Sequence, residues 1–229
     1  MPDLDGYRQS IRKVMSDLAE QSTAGTDVTR ALGTVTAGAV RLIRGAECAD
    51  LMLIDGERFE SVAPTAAFAP ELDAVQMQYG RGPCLEAALD DPVIRVPDLA
   101  REDRWPEFTA AATAHGVRSV LTFQIHRCQH CAGALNVYGC AAGTFTVEDE
   151  AIGAMLAAHA AITMLANQKA TDLDSMLDDR DVIGQAKGIL MERFKIDAAR
   201  AMELIAARSK DANVSIESIA HDIVSFISE

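Results

Sequence analysis

No run of eighteen apolar residues occurs in the 229-residue chain, so the sequence offers no unbroken membrane-spanning helix. Its opening, Met1-Pro-Asp-Leu-Asp, lacks the basic start and apolar stretch of an export signal, and a cytoplasmic protein with no membrane partner is expected. Five cysteines are an odd set, which argues against a disulfide framework and for reduced thiols. Neither a phosphate-binding glycine loop nor a nucleophile elbow is found, so no catalytic residue is nominated, and neither a cofactor nor a metal is expected. Aromatic residues make up only 5 % of the chain, and the last fifty residues hold just Phe194 and Phe226. Both fall at inward helical spacing, so stacking of nucleic-acid bases on protein rings is not expected. Positive charge is also short: 21 Lys and Arg face 34 Asp and Glu, a formal charge of −13 whose long-range field repels phosphate. That acidity is uneven, since residues 180–229 carry −1 and residues 1–179 carry −12.

What is present divides into two domains, expected at 1–166 and 167–229 with a connecting helix between them. Ile11, Val14, Met15 and Leu18 mark one face of a helix over 7–19, and Thr26-Asp27 can cap a second running through Arg44 to Gly45. The period then becomes strand-like. Cys48 to Asp55 and Arg58 to Ala63 read as a hairpin about Asp55-Gly56. Short helices are expected over 70–79 and 83–90, a strand over Val93 to Val96, a helix over 103–115, and a second hairpin from Arg118–His126 and Cys131–Tyr138. From Val147 onward the pattern is helical, with neither proline nor glycine between Gly153 and Gly184. A heptad reading through Ile152, Met155, His159, Ile162, Ala166 and on to Phe194 allows a coiled-coil homodimer, while burial of its first half against the first domain explains the same periodicity. Asp197 and Ser215 cap two further helices whose inward residues include Ala201, Leu204, Ile205, Ile219 and Ala220.

The last unit contains Arg180, Ile183, Ala186-Lys187-Gly188, Leu190-Met191 and Arg193, followed by Ala201, Leu204, Ser209, Asn213, Ile216, Ile219 and Ala220. At these spacings residues 180–224 resemble the ANTAR family of RNA-binding antitermination regulators. The resemblance implies homodimers that grip RNA stem-loops in nascent transcripts. Met202 stands where that family usually has an aromatic residue, and Ala206 and Ser215 where basic residues are common. Every phosphate left without its cation lowers the salt dependence of binding by roughly 0.7 to 0.9 in slope. A glycine inside a periodic helix costs about 1 kcal/mol against alanine, so Gly188 signals close approach of a partner, whether nucleic acid or another helix. The candidate RNA-binding residues are Arg180, Lys187, Gly188, Arg193, Ser209, Lys210 and Asn213. They offer cations for phosphate, an open backbone and an amide for an unstacked base edge. A merely solvated charged face is the competing account of the same cations.

The first 165 residues carry Gly80-Arg-Gly-Pro-Cys-Leu-Glu-Ala87, Asp98-Leu-Ala-Arg-Glu-Asp-Arg-Trp-Pro106, Gly116-Val-Arg-Ser-Val-Leu121 and Gly133-Ala-Leu-Asn-Val-Tyr138. They resemble a GAF domain, a small-molecule-sensing fold, and the pair of halves resembles actinobacterial GAF and ANTAR regulators. The implied class is α+β: an antiparallel sheet with flanking helices, joined by a long helix to a three-helix bundle. An unknown small-molecule or redox effector at the GAF domain is implied. Cys84 heads a helix, where a thiol pKa is lowered, and so is a reactive candidate against simple packing. Cys128-x-x-Cys131 is open to three readings: a metal half-site, a redox pair, or turn residues. Some GAF-fold proteins reduce free methionine sulfoxide with cysteines, which makes a thiol-dependent reductase the alternative function. A protein-interaction or DNA-binding regulator is a further alternative. DNA reading is disfavoured because the last helix presents mostly acids.

Overall fold

The computed structural model describes residues 4–21, 27–56, 58–89, 91–127 and 131–226. The chain divides into two compact units, Met1–Leu165 and Ala166–Glu229. The first is built on a five-stranded antiparallel sheet in the order β2-β1-β5-β4-β3, formed by β1 (Cys48–Asp55), β2 (Arg58–Val62), β3 (Val93–Val96), β4 (Ser119–Arg127) and β5 (Cys131–Gly139). Helices α1 (Leu4–Gln21), α2 (Val28–Leu42) and the start of α6 (Val147–Phe194) supply the core on one face. Helices α3 (Ala69–Tyr79), α4 (Pro83–Leu89) and α5 (Pro106–Ala114) cover the other. The second unit is helical: the end of α6, then α7 (Ala198–Ala212) and α8 (Ile216–Ser225). This is the α+β arrangement expected from the two resemblances.

Strand alternation sorts the two cores. On β1, Ala49 and Leu51 point into the α1/α2/α6 side, while Cys48 and Met52 point into the α3/α4/α5 side. On β5, Leu135 and Val137 go one way and Ala134 and Tyr138 the other. Caps fix the helix starts: Asp27 accepts from the Thr29 amide at 2.9 Å, Asp197 from Arg200 at 2.8 Å, and Ser215 from Ser218 at 3.2 Å. The expected helix over 103–115 begins later, at Pro106, because proline is preformed for the first helical position and pushes Trp105 out of helical geometry. Ahead of it, Asp98 caps a separate 3-10 turn, Leu99–Arg101.

The start of α6 is pinned. Asp149, only 2 % exposed, accepts from the Thr146 amide at 2.9 Å, the Thr146 hydroxyl at 2.8 Å and the Arg44 amide at 3.2 Å. Arg95 of β3 adds an ion pair to Glu150 at 3.1 Å. Gly153 faces the Phe123 ring so closely that a Cβ there would collide with it. Leu156, Ala157 and Ala160 follow into the core. By length and composition Val147–Ala170 would suffice to cross a membrane, with a mean hydropathy of 1.2, although scattered polar residues keep its apolar runs short. Packing accounts for one side of that stretch. Its other side leaves Met155, Ile162 and Leu165 exposed.

Candidate functional site

The C-terminal part of α6 contributes Val182, Ile183, Ala186 and Leu190 to a small core completed by Ile205, Ile219 and Ala220. Gly188 lies on the opposite, open side. A Cβ added at Gly188 would meet nothing within 4 Å, and the same holds for Gly184. Close packing of another helix of this chain is therefore not what the glycine serves. Around it Gln185, Ile189, Glu192 and Arg193 line a shallow concavity. Arg180 and Arg193 are exposed on the same helix and Lys187 is half-buried. Lys195 is tied to Glu192 at 2.7 Å, whereas Arg180, Lys187, Arg193 and Lys210 make no ion pair among the described residues.

Ser209 and Asn213 have local structural work. Asn213 adopts the left-handed conformation that ends α7, with φ 53°, and its amide donates to the carbonyls of Ser209 and Lys210. The Ser209 hydroxyl donates to the Val214 carbonyl at 2.6 Å. Both shape the turn that sets α8 against α7, and the Asn213 side chain remains exposed.

Three expectations need correction here. Phe194 and Phe226 are not inward: they are 59 % and 77 % exposed. Leu204 is likewise 38 % exposed. A bundle this small is filled by alanines and isoleucines, and Phe226 follows the last turn of α8, so no interior remains for the rings. With Ile223 and Arg208 they border a groove of about 490 Å³ that Arg193 also reaches. Sequence reasoning missed Arg208 because nothing in its helical position distinguishes it from a solvated cation.

In the first unit the unexpected feature is a band of polar side chains within the apolar layer between sheet and helices. Asp50 of β1 stands opposite Asn136 of β5, which stands opposite Thr122 of β4. Asp73 and Gln76 reach the same layer from α3, and Tyr138 follows Asn136 by one strand repeat. All six are essentially without exposure. Asp50 Oδ2 accepts from the Ser61 hydroxyl at 3.3 Å, and the Gln76 side-chain oxygen accepts from the Cys84 amide at 2.8 Å. Burial above all, then the neighbouring Asp73, raises Asp50 well beyond the usual carboxylate range, and burial raises Asp73. Burial and the same two acids push the Tyr138 phenol well up.

Cys84 lies at this band, and its expected reactivity is overturned. The thiol is 0 % exposed, donates toward the Met52 sulfur at 3.2 Å and receives the Asn136 amide at 3.3 Å. Burial, reinforced by Asp73 and Asp50, raises its pKa well above the ordinary thiol value, so it stays protonated where a helix start was expected to ionise it. Cys128 lies outside the described residues, as does the side chain of Cys131, and so their pairing does too. Asp98 holds Arg118 at 2.9 Å, and Arg104 lies 4.1 Å over the Trp105 ring while pairing with Glu86 and Glu102. The mid-strand polar residues Asp50 and Asn136 were the readable signal for the band, because each interrupts an apolar strand on a covered face.

Comparison with known families matches a GAF domain over residues 25–164 and an ANTAR domain over residues 171–224. No curated protein matches the chain. Among solved structures, the free methionine-R-sulfoxide reductase of Neisseria meningitidis, in complex with its substrate, is similar with a TM-score of 0.54 at 17 % identity, covering 72 % of this chain and 91 % of that one. The GAF domain of a phosphoenolpyruvate-protein phosphotransferase from Coxiella burnetii is similar with a TM-score of 0.54 at 16 % identity, over 72 % and 98 % of the two chains. The chromophore-binding domain of an R. palustris bacteriophytochrome has a TM-score of 0.54 at 11 % identity, over 73 % and 64 %. At these identities the likeness is one of fold alone.

Proposed function

Because the chain belongs to the GAF domain family and carries an ANTAR domain, and is thus a regulator joining a sensor domain to an RNA-binding antitermination domain, we propose that it grips stem-loops of nascent transcripts as a homodimer. The observation that carries this reading is the open face of α6 around Gly188. There the backbone is accessible, Arg180, Lys187 and Arg193 supply positive charge, and no side chain of the bundle intrudes. Such a face suits A-form phosphates and splayed loop bases, which a shallow, cation-bearing surface contacts without reading a groove. Ser209, Lys210 and Asn213 at the α7–α8 turn offer a second group of polar contacts. The exposed Phe194 and Phe226 supply stacking surfaces that their helical spacing had argued against.

Dimerisation would use the uncovered side of α6, where Met155, Ile162 and Leu165 are exposed beside the buried stripe of Leu156, Ala157 and Ala160. These residues follow the spacing of a two-helix seam. A small-molecule or redox effector in the GAF unit would act by favouring one dimer arrangement, since a ligand shifts only those states it binds differently. A cytoplasmic location accords with transcripts as targets. The thiol-dependent reductase loses support, because Cys84 is buried and protonated where such chemistry needs a thiolate.

The test is binding of the full chain to short stem-loop RNA across a salt series, with and without extracts of small metabolites. Log affinity should fall linearly with log salt, and at least one fraction should change that affinity. Binding that is flat across salt would defeat the RNA reading, and affinity indifferent to every fraction would defeat the sensing one.

A further inference from the structure

On the reading of the first unit as a sensor, the polar band decides which class of molecule it accepts. Asp50 and Asp73 bring two carboxyl groups into a layer closed to solvent, and neither forms an ion pair among the described residues. Asp50 Oδ1, Asp73 Oδ2, Asn136 Oδ1, the Tyr138 and Thr122 hydroxyls and Gln76 Nε2 have no donor–acceptor partner among the described residues, the two carboxyls facing one another. Native interiors leave few such atoms, and six in one patch point to a group that is meant to arrive. Three of the six only accept, the two hydroxyls can accept, and one donates. The complement of that set is a positively charged group rich in N–H.

We infer that the GAF unit binds a small organic cation, its ammonium or guanidinium group seated between Asp50 and Asp73. An ammonium offers three donors, enough for both carboxylates and one further acceptor, and a guanidinium five, enough to meet both carboxylates, Asn136 and Tyr138 together. A metal ion suits the site less well, since among the described residues no three His, Cys, Asp or Glu groups converge as ligands. An anion would face two acids. The Met52 and Cys84 sulfurs, 3.2 Å apart, form a soft apolar wall for the ligand's carbon skeleton. Seating requires α4 to shift about the link from α3, which turns at Gly80 and Gly82 with φ of 63° and 159°. Burial raises both carboxyls, and an arriving cation would supply the opposite charge that their ionised forms lack.

The experiment is thermal unfolding of the full chain at pH 8 with n-butylamine and agmatine, against 1-butanol and butyramide as uncharged counterparts. At about five times the dissociation constant the amines should raise the unfolding temperature by roughly 2–4 °C, and the neutral compounds should leave it in place. Asp50→Asn and Asp73→Asn keep the volume of the side chain, so the fold survives while the amine shift should vanish. Circular dichroism of both variants checks that the fold is kept. No shift with either amine, or an equal shift in the Asn variants, overturns the cation. Stabilisation by the neutral compounds alone, undiminished in Asp50→Asn, also overturns it while leaving a sensing site intact. Failure of sensing itself would show separately, as RNA affinity indifferent to every small molecule.

Discussion

Lys187 sits half-buried beside Gly188, with no ion pair among the described residues. If it meets phosphate, Lys187→Ala should weaken stem-loop binding similarly for every sequence and lower the salt slope by roughly 0.7 to 0.9, read from a filter-binding series at several salt concentrations. Asp50 answers to a different measurement. Its carboxyl is raised in the fold, so the stability it contributes is complete below the ordinary carboxylate range and is lost as pH rises through its elevated value. Asp50→Asn should therefore stabilise the free protein at pH 8, by about 1–3 kcal/mol for relief of an uncompensated buried group, and by far less near pH 4. Chemical denaturation of both proteins at the two pH values checks this. Stabilisation on removing an acid is the mark of a residue kept for something other than folding.

Among the elements, α6 places two glycines in opposite surroundings. Gly153 meets the Phe123 ring, and Gly188 meets nothing. Gly153→Ala should destabilise the first unit by about 1–3 kcal/mol through overpacking. Gly188→Ala should stabilise the bundle by up to about 1 kcal/mol through helix propensity while lowering RNA affinity, because the added methyl occupies the approach. Urea melts followed by circular dichroism, with RNA titration of the second variant, separate the two effects. The elements themselves were legible in the sequence: Asp27, Asp197 and Ser215 announced helix starts, and the alternation in β1 and β5 announced strands. The α5 boundary slipped because Pro106 outweighs the helical pattern ahead of it. Phe194 and Phe226 were misplaced because helical spacing says which side a residue is on, not whether a bundle has depth enough to bury it. The polar band stayed hidden for a related reason. Asp50, Asp73 and Asn136 come from three separated segments, and only the β1–β5 register and the seating of α3 bring them together.

At the scale of the whole molecule the charge is partitioned: residues 1–179, which hold the sensor domain, are strongly acidic, and residues 180–229, which hold most of the ANTAR domain, are nearly neutral. Repulsion of phosphate by the former would confine transcripts to the latter. In the proposed dimer two copies would engage paired stem-loops, and the exposed Ile162 would lie in the middle of the seam. Ile162→Lys should shift sedimentation toward the monomer. It should also reduce affinity for a two-loop RNA by about 10²-fold or more as avidity disappears, with little effect on a single loop. Strand β5 has a further consequence. It is the middle strand of the sheet, and it serves as a party wall: Asn136 and Tyr138 furnish one room, Leu135 and Val137 the other, where Leu156 and Ala157 of the long helix are lodged. A tenant arriving on the first side must lean on masonry that the second side shares.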